Sequence, residues 1–288
     1  MSFPLIPAEL AFAGDGTPFS PRYGDIYHSS QGGLAQARHV FLAGNQLPAR
    51  WTDCQRFVIL ETGFGLGLNF LATLQAWRAV AGPGGRCLHY VAVEKHPFRL
   101  DDLRQVHKHW PELAQLAAEL HAQWPLPLPG LHRLDLGDVI LTLAFGDGVD
   151  LLPQLSLVAD AIYLDGFAPD RNPDLWSEAV VAQLRRLSAA GTTLATWTTA
   201  GEIRRRLASA DFVLERQQGF GGKREMLVGH RPGTTPARGR SSKRIAVIGA
   251  GIAGAATAHA LARRDHQVTV FDGAGEAACG ASGNLAGV

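Results

Sequence analysis

Between Arg56 and Gly229 the chain repeats one pattern: a short apolar run, a turn, then a stretch of helix length. The runs are RFVILE (56–61), LHYVAVE (88–94), DVILTLAFGDG (138–148), ADAIYLDGF (159–167) and GTTLATW (191–197). Each is strand-sized and apolar and lies next to turn signals, which predicts a buried strand. Helices are expected over 68–80, 98–108, 111–122, 173–187 and 200–210, with Pro173 suited to a first helical turn. FVLERQQ (212–218) and REMLVG (224–229) read as a closing antiparallel pair, and Pro125, Pro127 and Pro129 predict a loop. Residues 1–55 read as irregular, apart from a helix-compatible piece at 32–43. Alternation of this kind leaves few solutions, and the expected one is an α/β fold built on a doubly wound sheet.

The pattern begins a second time at IAVIGAGIAGAATAHALARR (245–264), where an apolar run leads into Gly249, Gly251 and Gly254. The expected division is a first domain over 1–229, a basic linker over 230–244 and an incomplete second βαβ start over 245–288. The linker carries Arg231, Arg238, Arg240, Lys243 and Arg244 with no acid, which reads as solubility first and a nucleic-acid contact second. One βα unit cannot bury both faces of its strands, so 245–288 is expected not to hold a flavin productively. The expectation is a fragment or an early stop of a longer, two-domain chain.

Composition excludes several classes. The chain is 46% hydrophobic and 18% charged, as globular chains are, and its net charge of +1 neither demands nor excludes a nucleic-acid partner. Three cysteines, Cys54, Cys87 and Cys279, form no CxxC pair, which argues against a disulfide framework and a zinc site. No basic leader and no apolar run of about 20 residues is present, so a cytoplasmic protein with no membrane partner is expected. His107 and His109 lack companion ligands; they read as surface histidines, and no metal site is expected. Arg185, Arg186, Arg204, Arg205 and Arg206 read as solvated helix faces ahead of nucleic-acid contacts. Oligomeric state stays open, a monomer included.

The two glycine loops differ in chemistry. The first, Glu61-Thr62-Gly63-Phe64-Gly65-Leu66-Gly67-Leu68-Asn69, is spaced G-x-G-x-G and preceded by an acid. Glu61 would serve a phosphate poorly and a sulfonium with an amino group well, which points to S-adenosylmethionine. Glu94 ends the next run and can accept both ribose hydroxyls. Asp147 and Asp165 close the two runs after that; Asp147 could contact an adenine amino group or simply cap a turn. All fall at carboxyl ends of the expected strands, where open α/β sheets bind ligands. The second loop fits G-x-G-x-x-G, and Asp272 follows at the spacing of a ribose contact for FAD or NAD.

ETGFGLGLNF, YLDGFAPDRNPDLW, GTTLATWTTAG and GFGGKREML together resemble the methyltransferase half of the MnmC family, bifunctional enzymes of wobble-uridine modification in bacterial tRNA. IAVIGAGIAGAATAHALARR and GASGNLAGV resemble the opening of its FAD-dependent oxidoreductase half. The resemblance runs from about Tyr23 to the last residue and implies a Rossmann-like class I methyltransferase sheet. It implies S-adenosylmethionine as cofactor, with FAD belonging to the incomplete half, and tRNA as partner. The implied reaction is methylation of the amine of 5-aminomethyl-2-thiouridine; in the family the oxidase half first removes a carboxymethyl group.

Under that reading Asp165 orients the amine and accepts its proton. Phe167 and Pro169 wall the pocket, and Tyr23, Asp25 and Tyr27 belong to a leading segment folded over it. Phe220 would stack on the base while Lys223 or Arg224 holds a phosphate; a tight hairpin with solvated charges is the alternative. Two other functions stay open: N-methylation of another amine or a protein, and a nucleotide- or tRNA-binding remnant without turnover.

Overall fold

The computed structural model describes residues 5–80, 86–233, 243–263 and 266–280. The chain divides into two compact units, Met1–Ala237 and Arg238–Val288.

The first unit opens with a small antiparallel sheet, β1 (Ala11–Phe12), β2 (Pro18–Ser20) and β3 (Asp25–Ile26). Helix α1 (Gly33–Gln36) then runs into a π-helical turn at Ala37–Leu42, within the stretch expected to be helical. The alternating elements follow: β4 (Arg56–Glu61), α2 (Leu68–Ala79), β5 (Cys87–Glu94), α3 (Leu100–His107), α4 (Ala114–Gln123), β6 (Gly130–Asp135) and β7 (Val139–Phe145). After α5 (Gly148–Leu151) come β8 (Ala159–Tyr163), α6 (Glu178–Arg186), β9 (Ser188–Thr196), α7 (Gly201–Ser209), β10 (Val213–Gln218) and β11 (Glu225–His230).

Eight strands form one sheet in the order β10-β11-β9-β8-β4-β5-β7-β6. The five central strands are parallel, while β11, β10 and β6 pair antiparallel at the edges. Helices cover both faces, so β4 is buried along all but its first residue. Phe57 and Ile59 point into one core cluster and Leu60 into the other, as the two-residue period of a strand requires. In the first core Trp77 packs edge-on against Trp51 at 5.3 Å. This is the doubly wound α/β architecture expected from the alternation. Its order reverses between β4 and β8, and that reversal opens a crevice at their carboxyl ends.

Three details differ from the sequence reading. β6 lies just after the proline loop and pairs with β7; its exposed Leu131 and alternating burial hide it from a search for apolar runs. The helix expected over 173–187 is a 3-10 turn at Pro173–Trp176 and then α6, because the Ser177 side chain accepts from the Val180 amide and starts a new helix. The linker begins later than 230: His230 pairs in β11, and the Arg231 amide donates to the Thr192 carbonyl at 2.8 Å. Arg238 and Arg240 lie outside the described residues, as does most of GASGNLAGV.

The second unit holds β12 (Arg244–Ile248) and β13 (Gln267–Phe271), paired parallel, with α8 (Ile252–Ala262) between them. No residue of α8 is buried, and Ile248, Ile252 and Phe271 are exposed.

Candidate functional site

A cavity of about 950 Å³ opens at the carboxyl ends of β4, β5 and β8. That size suits a drug- or nucleoside-sized ligand. Its floor begins with the first glycine loop. Gly65 and Gly67 take left-handed φ of 50° and 72°, a conformation that glycine adopts without penalty. A Cβ on Gly63 would approach the Asp165 carbonyl oxygen at 3.1 Å, so glycine there lets the two strand ends meet. Gly67 turns the chain into α2 without lining the cavity.

Three carboxyls lie around this loop in different states. Glu94 is held by two backbone amides: His96 donates to Oε1 at 2.7 Å and Gly65 to Oε2 at 2.7 Å. Each oxygen keeps acceptor capacity and Glu94 lines the cavity, so a vicinal diol fits there. Asp165 is partly buried just beyond β8, and burial pushes its carboxyl up to about 6. The Gly166 amide at 2.8 Å and the Asn69 side-chain amide at 2.8 Å oppose that rise.

Glu61 is fully buried and does not line the cavity. Burial, then the neighbouring Asp165 charge, hold it well above the ordinary carboxylate range, so the neutral acid is favoured. The sequence reading placed its charge against a sulfonium; the structure places it behind Asn69, which donates to Glu61 Oε1 at 2.8 Å. The buried Glu61 carboxyl and the buried Tyr90 hydroxyl interact with each other.

Asp147 does two things at once. Its Oδ1 accepts from the Val149 amide and caps α5, and its Oδ2 pairs with Lys95 Nζ at 2.5 Å. Burial raises its carboxyl, but Lys95 and the cap hold it below the usual range. It lines the cavity beside Glu94.

The leading segment lies over this floor. Tyr23 stacks on Phe167 at 4.6 Å, and Tyr27 meets the same ring edge-on at 5.1 Å. Asp25 Oδ2 accepts from the Ala168 amide at 2.8 Å. Burial raises the Tyr27 phenol far above its ordinary value, so it stays neutral. Pro169 does not line this cavity; it lines a separate shallow depression with Trp176 and Ile203.

The last hairpin supplies the rim. Phe220 lines the cavity and tilts against His39 at 5.9 Å, and Lys223 Nζ lies 3.6 Å from the centre of the Trp197 ring. Burial lowers the Lys223 ammonium, and Asp25 opposes the shift. Arg224 is exposed and does not line the cavity. Trp197 was missed from the sequence; its signal was an aromatic one residue past the carboxyl end of β9, in ATWTT.

His107 corrects an expectation. It is buried, not a surface residue, because Nε2 donates to the Leu66 carbonyl at 2.8 Å and ties α3 to the glycine loop. Its Nδ1 lies 2.9 Å from His121 Nε2, and burial lowers His107 to about 4. His109 is exposed, as expected. Several arginines read as solvated are engaged: Arg206 donates to the Trp176 carbonyl, Arg186 to the Leu152 and Leu155 carbonyls, and Arg185 pairs with Asp211. Among the described residues no group of three His, Cys, Asp or Glu could hold a metal ion, and no helix is long and apolar enough to cross a membrane.

In the second unit, Asp272 Oδ2 accepts from the Ala250 amide at 2.6 Å, closing the second glycine loop on β13. A Cβ on Gly254 would meet the Gly249 carbonyl oxygen at 1.8 Å, so helix and loop touch only because that residue is glycine. Gly251 is the N-terminal cap of α8. The residues present fit the phosphate-binding start of a dinucleotide fold.

Comparison with known proteins agrees with both parts. Residues 111–232 match the family described as S-adenosyl-L-methionine-dependent methyltransferase, and residues 244–288 match FAD dependent oxidoreductase. A protein of Azoarcus sp. (strain BH72), named tRNA 5-methylaminomethyl-2-thiouridine biosynthesis bifunctional protein MnmC, is 57% identical over 99% of this chain and 45% of its own length. Its namesake in Aromatoleum aromaticum is 56% identical over 99% of this chain and 45% of its own length. The chain thus spans just under half the length of these curated relatives. The crystal structure of MNMC2 from Aquifex aeolicus has a TM-score of 0.61 at 20% identity, over 80% of this chain and 73% of that one, a likeness of fold.

Proposed function

The chain belongs to the MnmC family, and on that premise we propose that its first unit methylates the primary amine of 5-aminomethyl-2-thiouridine at the wobble position of tRNA. S-adenosylmethionine, when bound, supplies a methyl group on a sulfonium that leaves without protonation. The residues lining the cavity fit it: Glu94 offers two oriented acceptors to a ribose, Asp147 stands beside it, and Gly63 and Gly65 let the backbone approach.

One observation carries the reading. Asp165 stands at the strand-order reversal with its carboxyl raised to about 6 and pinned by Asn69. An alkylamine is mostly protonated at neutral pH, by analogy with lysine, and must give up a proton to attack. A carboxylate with a pKa near 6 accepts that proton more readily than an ordinary aspartate. Partial burial also weakens its preference for keeping the amine charged as an ion pair. Phe167, itself packed between Tyr23 and Tyr27, walls the pocket.

FAD is the family's second cofactor, and tRNA its macromolecular partner. For 245–288 the fingerprint is present, but no residue of α8 is fully buried, and we place no flavin chemistry on this chain. The test is methyl transfer from labelled S-adenosylmethionine to tRNA from cells lacking the modification, set against bulk protein. Label in the wobble nucleoside supports the reading. Label in protein alone favours another amine substrate, and cofactor binding without transfer favours a non-catalytic module.

A further inference from the structure

The hairpin after β10 is built to return one side chain to one ring. Gly219 donates its amide to the Arg224 carbonyl at 3.0 Å, and a Cβ on Gly219 would meet the Lys223 carbonyl oxygen at 2.4 Å. Gly221 takes a left-handed φ of 62°. This tight turn carries Lys223 back over the face of Trp197, with Nζ 3.6 Å from the ring centre. The indole is fixed from its edge: Nε1 donates to the Gly166 carbonyl at 3.1 Å, one residue from Asp165. Trp197 is partly buried and lines the cavity, so its ring is a preset flat surface at the entrance to the proton acceptor.

Phe220 fills such a role less well. Both rings pack against the main core, but that of Phe220 also tilts on His39, which commits it further. The Lys223 ammonium lies over one face of the Trp197 ring. A nucleobase stacks on an aromatic ring more strongly than a surface ammonium does, because it covers more of the ring and desolvates it. An ammonium released beside a nucleotide has an obvious new partner in phosphate.

We propose that the substrate base stacks on Trp197 in the place Lys223 now holds, and that the displaced Lys223 ammonium moves to a phosphate of the same RNA strand. This rests on the proposed function. Trp197 then positions the base, and the Nε1–Gly166 bond sets the distance between the stacked base and Asp165. Lys223 excludes other flat ligands until a phosphate draws it away.

The exchange makes the two side chains differ in sign. The test uses the full chain with two probes: an anticodon stem-loop carrying 5-aminomethyl-2-thiouridine, and the phosphate-free nucleoside. Trp197→Leu should raise KM for both probes by about tenfold or more, the order expected for one lost stack, with S-adenosylmethionine affinity within about twofold of wild type. Trp197→Phe should restore most of the loss. Lys223→Met should raise KM for the stem-loop and reduce its salt dependence by about one phosphate contact. For the free nucleoside the same variant should leave KM unchanged or lower it, because the ring is then uncovered. A structural role alone would not produce that opposite response.

Unchanged stem-loop KM in Trp197→Leu, or a raised nucleoside KM in Lys223→Met, would overturn the inference while wild-type turnover leaves the proposed function standing. Absence of transfer to the stem-loop by wild type would overturn both. Should Trp197→Leu fold poorly, Trp197→Phe and Lys223→Met still decide the question.

Discussion

The side-chain amide of Asn69 donates to two carboxyls at once, Glu61 Oε1 and Asp165 Oδ2, each at 2.8 Å. Both of its hydrogens are committed, which fixes the amide's orientation, since the flipped form would set its oxygen against two carboxyls. Asp165 is thereby held in one rotamer at the cavity floor, and its chemistry is set by a residue eight positions into the glycine loop from Glu61.

Asp165→Asn is expected to keep S-adenosylmethionine binding and lose about a hundred- to ten-thousand-fold in kcat. Wild-type kcat should rise through a limb with a midpoint at about 6, and the variant should lack that limb. Stability should move the other way. The folded-state carboxyl lies above its unfolded value of 3.8, so between about pH 4 and 6 the folded protein binds the extra proton. Stability therefore falls as pH rises through that window, by at most about 3 kcal/mol, and Asp165→Asn should lack that slope. Stopped-flow methyl transfer and denaturant melts across pH check the pair.

Glu94 receives two amide donors, and glutamine cannot accept both, because its NH2 would face a backbone N–H. Glu94→Gln is expected to weaken S-adenosylmethionine binding by about tenfold or more, the order of a lost charged hydrogen bond. Calorimetric titration measures it; an unchanged Kd would remove Glu94 from the ribose site.

His107 is buried neutral with a folded pKa of about 4 against 6.5 for the free residue. Between those values the unfolded chain takes up a proton that the folded chain refuses, so stability falls as pH falls across that range. The full effect is about 3 kcal/mol, and His107→Gln should flatten the slope in urea melts between pH 4 and 6.5.

The purified chain is expected to carry no flavin and to take up none from added FAD. In the second unit two strands and α8 bury no helix residue, and Ile248 is 82% exposed. A yellow preparation with a flavin absorbance band would contradict this.

Much of the fold was legible because buried parallel strands leave contiguous apolar runs: β4, β5, β8 and β9 stood out by that signal. β6 did not, since an edge strand with one wet face reads like a loop. Within the site, Glu61, Asn69, Glu94, Asp147 and Asp165 could be picked out because they end strands or follow a glycine loop. Their roles could not. Whether Glu61 faces the ligand or hides behind Asn69 depends on side-chain direction, which spacing does not encode. Trp197 was invisible for a related reason: an aromatic after a strand reads as core until a cavity is seen beside it. The burial of His107 hung on a carbonyl 41 residues away.

The contact between Asp25 and the Ala168 amide joins positions 143 residues apart. During synthesis the leading segment emerges first, yet its docking partner is made only after β8 leaves the ribosome. Contacts of such long sequence separation close late, because the chain between them must order first. The cavity is therefore among the last features to mature, and a nascent chain that already holds β4 and β5 still has no roof over its glycine loop. Cofactor capture should mark completion of the first unit's fold more sharply than any spectroscopic measure of helix content.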